Sequence, residues 1–184
     1  MQFLKSALAG LTVGLFSSVT HAAAADFVLE DYFVGKTAAE GHFGAINGFS
    51  RKFTVDLTGT WDGHVLTLRE DFRFDDGTKD RKTWRFLKTG PKTYRGIRED
   101  VLGDTKVRMD GDTARFNYFV YLSPQTQSNE AFFMDKMVLQ PDGTVLNTAL
   151  VFKYGLPVAK TTVSFRKIER DANSKHPKHH GKTK

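Results

Sequence analysis

Regular turn signals divide most of the chain into short segments, and this spacing constrains the fold more than any other feature. Asn-Gly or Asp-Gly pairs stand at residues 47–48, 62–63, 76–77, 110–111 and 142–143. Such pairs are typical of tight turns whose central residues need positive φ. Between them no helical period persists over three turns, so the chain is predicted to be antiparallel and all-β.

The segments between the turns alternate between apolar and polar residues, as half-buried strands do. They are residues 41–46, 49–61, 64–74, 78–88, 93–102, 105–109, 113–122, 131–139, 144–154 and 159–168. A flat sheet of this size would expose two edges and an apolar face. We therefore predict an up-and-down barrel of about eight to ten strands rather than a two-sheet sandwich. Residues 26–36 are predicted to form a short N-terminal helix or lid.

The two ends of the chain differ from this central part. Lys5, an apolar run over residues 7–19 and small residues before Asp26 predict a signal peptide at residues 1–25. The barrel domain is then residues 26–170, and the basic His/Lys-rich tail at 171–184 is predicted to be disordered. No later apolar run reaches the ~20 residues of a membrane span. These features predict a soluble periplasmic protein without stable membrane insertion, and we expect a monomer.

Composition excludes several classes of site. The chain has no Cys, which excludes disulfides, thiolate metal sites and a cysteine nucleophile. Its formal charge of +6 falls to about +2 for the domain once Lys5 and the basic tail are set aside, which argues against nucleic-acid binding. His42 and His64 are the only histidines of the domain, and no Gly-x-Ser-x-Gly motif is present. No metal, cofactor or catalytic residue is predicted.

One carboxylate interrupts an apolar strand face. In the hairpin of residues 64–84 the even positions are apolar at Leu66, Leu68, Phe72 and Phe74, but Glu70 falls among them. An unpaired carboxylate is costly there, so Glu70 should meet a cation, accept hydrogen bonds or hold a proton.

A second carboxylate and several aromatic residues share this predicted interior. Asp135 has the parity of the apolar positions in residues 131–139. Such charges could brace the core, anchor a ligand or do acid/base chemistry. The aromatic residues could fill the core or line a cavity. The predicted ligand-binding residues are Glu70, Phe72, Arg81, Trp84, Tyr118 and Asp135.

Three functions stay open at this point. The first is a binding or carrier protein for a lipid or other hydrophobic small molecule, with Glu70 and Arg81 placing its polar end. The second is a structural envelope protein whose barrel is filled. The third is an isomerase, cyclase or hydrolase with Glu70 or Asp135 as base, for which a raised carboxyl pKa in an open cavity would be the distinguishing sign.

A set of motifs is spread over the mature chain. They are Tyr32-Phe33-x-Gly35, Ala39-x-Gly41-x-Phe43, Glu70-x-Phe72-x-Phe74-x-Asp76-Gly77, Arg81-x-x-Trp84, Tyr94-x-Gly96, Asp100-x-x-Gly103, Asp135, Leu146-Asn147 and Lys153-x-Gly155. Taken together, these motifs resemble the bacterial domain of unknown function 3833 family.

The resemblance implies an envelope protein with a lipocalin-like (calycin-like) barrel and no established activity. Members often carry a lipobox cysteine, and its lack here favours a soluble form. The resemblance also adds Asn147 and Lys153 as positions of interest. Their parity is opposite to that of Phe152, which predicts that they face solvent.

Overall fold

Ten antiparallel strands form a closed barrel in the computed structural model, which describes residues 26–168. The strands are β1 (Gly35–Ala45), β2 (Ser50–Trp61), β3 (Val65–Phe74), β4 (Lys79–Gly90), β5 (Thr93–Ile97), β6 (Thr105–Asp110), β7 (Thr113–Ser123), β8 (Ser128–Leu139), β9 (Val145–Lys153) and β10 (Leu156–Lys167). One helix, α1 (Leu29–Phe33), precedes them, and a 3-10 turn (Pro124–Thr126) joins β7 to β8. The predicted signal peptide and tail lie outside the described residues.

The strand order confirms the predicted up-and-down barrel. Each strand pairs with its neighbours in the chain, and β1 pairs with β10 to close the ring, with Ala39 opposite Phe165. Closure leaves every strand with two partners, which removes the exposed edges that a flat sheet would have. Within residues 26–168 no helix is both long and apolar enough to cross a membrane.

A plug formed by Phe27 and α1 covers one end of the barrel, as the predicted lid requires. Phe27, Leu29, Tyr32 and Phe33 are all buried in the main hydrophobic core. A helix of five residues is not stable by its own hydrogen bonds, so this burial holds it in place. Gly59 permits the fit, because a Cβ at that position would lie 1.9 Å from the Phe33 carbonyl oxygen.

A polar contact fixes the plug to the barrel wall. The Tyr94 hydroxyl donates a hydrogen bond of 2.5 Å to the buried Glu30 carboxylate, and Lys88 forms an ion pair with the same group. Burial alone would raise the pKa of Glu30, but the hydrogen bonds from Lys88 and Tyr94 lower it overall. Glu30 is therefore an ionised carboxylate of the plug that is paired with the barrel wall.

The strand predicted over residues 93–102 is shorter in the structure. It ends at Ile97, and residues 98–104 form a loop towards β6. The loop breaks away because Arg98 bonds to the carboxylate of Asp100, while backbone N–H groups of Leu102 and Tyr121 pair the loop with β7. Arg98 keeps the parity of the buried Tyr94 and Gly96, so the loop carries a cation on the inner side of the barrel.

The prediction of which β9 residues face the barrel interior is wrong. Val145, Asn147 and Ala149 lie on the inner side, whereas Leu146 and Leu150 are exposed on the outer wall. The reason is that this part of the outer wall is itself apolar, with a row of rings formed by Phe119, Phe132 and Phe152. Large apolar residues on the outside made the solvent face resemble a core face.

Candidate functional site

A cavity of about 200 Å³ occupies the barrel interior above the plug. Leu29 and Phe33 of the plug line it from below. Phe53, Phe72 and Phe133 also line it but are only partly buried, which places its mouth at the opposite end. At ~30 Å³ per water, the space corresponds to about seven water molecules, so the barrel is not filled by its own side chains.

Flat aromatic faces make up much of the wall. The Trp84 ring stacks on Phe86 with centroids 5.1 Å apart and meets Tyr118 edge to face at 5.3 Å. Tyr118 in turn stacks on Phe116 at 5.8 Å and on Phe133 at 5.6 Å. Neighbouring rings on adjacent strands produce a continuous apolar surface of the kind that binds small hydrophobic molecules.

Glu70 lies on this wall in β3, where its neighbours across the strands are Leu57 and Lys82. Its side chain lines the cavity, and the residue is 9% exposed. Burial raises the pKa of Glu70 to about 7; the charge of Arg98 lowers it, and those of Glu99, Asp100 and Asp135 raise it. Glu70 therefore holds or releases a proton near neutral pH, which is one of the three outcomes predicted for it.

The cation inside the cavity is Arg98, not the predicted Arg81. The Arg98 side chain is 13% exposed, and its guanidinium lies 4.7 Å above the Trp84 ring. Its Nε donates a hydrogen bond of 2.6 Å to Asp100, and Lys82 contacts the same carboxylate at 3.2 Å.

Arg81 lies outside the barrel. Its side chain is 66% exposed and bonds to Asp71 at 2.5 Å on the outer face of β3. Arg81 and Asp71 are register partners on adjacent strands, so both side chains have the parity opposite to that of Glu70. The prediction that Arg81 helps to place the polar end of a ligand is corrected accordingly, and Arg98 takes its position beside Glu70.

Asp135 and Asn147 form a second polar group on the cavity wall. Asn147 Nδ2 donates a hydrogen bond of 2.6 Å to Asp135 Oδ1. Burial raises the pKa of Asp135 to about 6, although the neighbouring donors Asn147 and Tyr118 and the charge of Arg98 lower it. Burial also raises the pKa of the neighbouring Tyr118 hydroxyl well above its usual value, so Tyr118 stays protonated.

The structure brings five of the six predicted residues together around the cavity: Glu70, Phe72, Trp84, Tyr118 and Asp135. The predicted site residues did not include Arg98 or Asn147. The signal for Arg98 is its parity, which it shares with the buried Tyr94 and Gly96. Among residues 26–168 no group of three or more His, Cys, Asp or Glu side chains could hold a metal ion.

Comparison with known proteins agrees with this architecture. A family model described as protein of unknown function, DUF3833, matches residues 10–167. The chain belongs to the DUF3833 family. No curated protein matches this DUF3833 chain by sequence.

Two solved structures share the fold of this DUF3833 protein. The S-type phycobiliprotein lyase CPES from Guillardia theta is 10% identical, with a TM-score of 0.56 over 78% of this chain and 95% of the lyase. Rv2717c from M. tuberculosis is 11% identical, with a TM-score of 0.53 over 74% of this chain and 93% of the other. At these identities the likeness shows a shared lipocalin-like barrel and nothing about shared chemistry.

Proposed function

We propose that this DUF3833 protein binds a small hydrophobic molecule, such as a lipid or part of one, inside its barrel. The observation that carries the proposal is an unfilled cavity of about 200 Å³ walled by aromatic rings and open at one end. A cavity of ~150 Å³ lined by apolar side chains is large enough to bind benzene. The space here accepts a ring or a short acyl chain, and a longer ligand would extend through the mouth.

The polar groups supply the specificity that such a site needs. Glu70, Arg98, Asp135 and Asn147 all line the otherwise apolar cavity. Ligand sites typically combine an apolar wall with a few placed polar groups that fix orientation. The same cavity disfavours the filled-barrel alternative, which predicts no internal space beyond a few waters.

The proposed location is the periplasm, on the basis of the signal-peptide pattern at residues 1–25. Osmotic-shock fractionation of cells that express the full chain tests this. The proposal expects a processed protein in the periplasmic fraction, and retention of the unprocessed chain in the cytoplasm would contradict it.

Native mass spectrometry of the protein purified gently from the periplasm tests the binding function. We expect an additional apolar mass at one copy per chain that organic extraction releases and identifies. Ala149→Leu fills the cavity and should lower retention, while Thr148→Leu changes the adjacent residue outside the lining and serves as the control. If the measured mass is that of the bare protein and stays unchanged after incubation with a panel of lipids, the proposal is contradicted.

A second candidate function is acid/base catalysis on the bound molecule, and the raised pKa of Glu70 favours it. A carboxyl that titrates near pH 7 is suited to accept and return a proton at neutral pH. Glu70→Gln should then keep ligand binding but abolish turnover of the extracted ligand. If the wild-type protein returns the extracted ligand unchanged after long incubation, this candidate fails.

A further inference from the structure

We propose that the ligand presents a hydrogen-bond donor, an alcohol or an amine rather than a carboxylate, to Asp135 and Asn147. This inference rests on the proposed binding function and names the chemical class of the ligand's polar end. It follows from which atoms of the cavity wall are already bonded and which are not.

Two buried acceptor atoms at the cavity wall have no partner. Asp135 is 6% exposed, and its Oδ1 accepts the hydrogen bond from Asn147 Nδ2. The Tyr118 hydroxyl lies near Asp135 and affects its pKa, but within residues 26–168 neither Asp135 Oδ2 nor Asn147 Oδ1 accepts a hydrogen bond of regular geometry. Buried polar atoms are nearly always bonded in folded proteins, so unpartnered ones beside a cavity indicate where a ligand or water binds.

The orientation of the Asn147 amide is fixed by its neighbour. Its nitrogen must face the Asp135 carboxylate, because the reverse orientation would set two acceptor oxygens against each other. The Asn147 oxygen is therefore an acceptor, as is Asp135 Oδ2. Two acceptors on one wall match an alcohol O–H or an ammonium N–H and repel a carboxylate.

The cations near the cavity do not reverse this preference. Arg98 bonds to Asp100 through Nε at 2.6 Å and Nη2 at 3.3 Å, and Lys82 contacts both Asp80 and Asp100. Both cations thus already have carboxylate partners. Glu70 adds a further carboxyl group to the same cavity.

Three probes with the same octyl chain test the inference on the wild-type protein: octan-1-ol, octylamine and octanoate. Isothermal titration calorimetry at pH 8 keeps Asp135 ionised, since its pKa is about 6. We expect the alcohol and the amine to bind at least roughly 10-fold more tightly than octanoate, because the octanoate carboxylate offers no donor to the buried acceptors. Equal or tighter binding of octanoate would overturn the inference but leave the binding function standing. No heat with any of the three would overturn the binding function as well.

Asp135→Asn gives a second, independent readout. The amide can still accept the Asn147 hydrogen bond, but its nitrogen replaces the free acceptor by a donor. The preference for octylamine over octanoate should fall roughly tenfold or reverse. Asp110→Asn, whose side chain is 85% exposed, is the matched control and should keep the wild-type preference. An unchanged preference in folded Asp135→Asn would refute the assignment of these atoms, and the wild-type titrations decide the question if the variant does not fold.

Discussion

Replacing Glu70 with glutamine should stabilise the protein at pH 8, even though Glu70 is a central residue of the proposed site. A buried carboxyl is more costly when ionised, and burial raises the pKa of Glu70 from 4.5 to about 7. The folded state therefore holds the proton more tightly than the unfolded chain does. The stabilisation that comes from this tighter proton binding is complete below pH 4.5 and is lost as the pH rises through 7.

The size of the effect follows from that shift. At about 1.36 kcal/mol per pKa unit, ionisation of Glu70 lowers the free energy of unfolding by about 3 kcal/mol at pH 8. Glutamine has the shape of the protonated acid and cannot ionise. The quantity to compare is the free energy of unfolding of Glu70→Gln minus that of the wild type. This difference should be roughly 2 to 3 kcal/mol larger at pH 8 than at pH 5.

Urea denaturation of both proteins at pH 5 and pH 8, followed by tryptophan fluorescence, measures this difference. Glu40→Gln makes the same chemical change at an exposed position of β1 and should show no such pH dependence. If the stability difference between Glu70→Gln and wild type is the same at both pH values, Glu70 is not a buried titrating group, and the account of the site is wrong.

Three further predictions concern the plug and the core. Gly59→Ala should lower the free energy of unfolding by about 1 to 3 kcal/mol in urea denaturation, because its Cβ would overlap the Phe33 carbonyl, while Gly44→Ala should be nearly neutral. Glu30→Ala should cost about 2 to 4 kcal/mol at pH 7 by the same assay and less as the pH falls through the lowered pKa of Glu30; a loss that persists undiminished in acid would contradict the ion pair. Leu66→Ala, at a fully buried position, should lower stability by about 2 to 5 kcal/mol, and a loss below 1 kcal/mol would indicate a loosely packed core.

Sequence reasoning succeeded where each strand has one polar face. In β3 the outer positions carry charged residues such as Arg69, Asp71 and Arg73, so the inward position of Glu70 could be read from parity alone. Asp135 was placed inside only by the parity it shares with Phe133 and Met137, since the outer face of β8 is itself largely apolar. The turn chemistry was informative for a similar reason, because Asp-Gly pairs mark positive φ at Gly77, Gly111 and Gly143.

The rest of the site depends on contacts that alternation does not encode. In β9 both faces carry apolar residues, so parity could not identify Asn147 as the inner residue. Arg98 shares the parity of the buried Tyr94 and Gly96, but it follows the end of β5, so its exact position depends on Asp100 and on pairing of the loop with β7, which are tertiary contacts. The raised pKa of Glu70 likewise depends on how deeply the finished barrel buries it.

The order of the strands also has a consequence for how the chain folds. Of the ten strand pairings, nine join consecutive strands, and only that of β1 with β10 joins the two ends of the barrel. Hairpins between consecutive strands close short loops at low entropic cost, whereas the last pairing brings together Ala39 and Phe165 across almost the whole domain. Ring closure is thus the step with the largest entropic cost, and we expect substitutions along the seam between β1 and β10 to change the rate of unfolding more than the rate of folding.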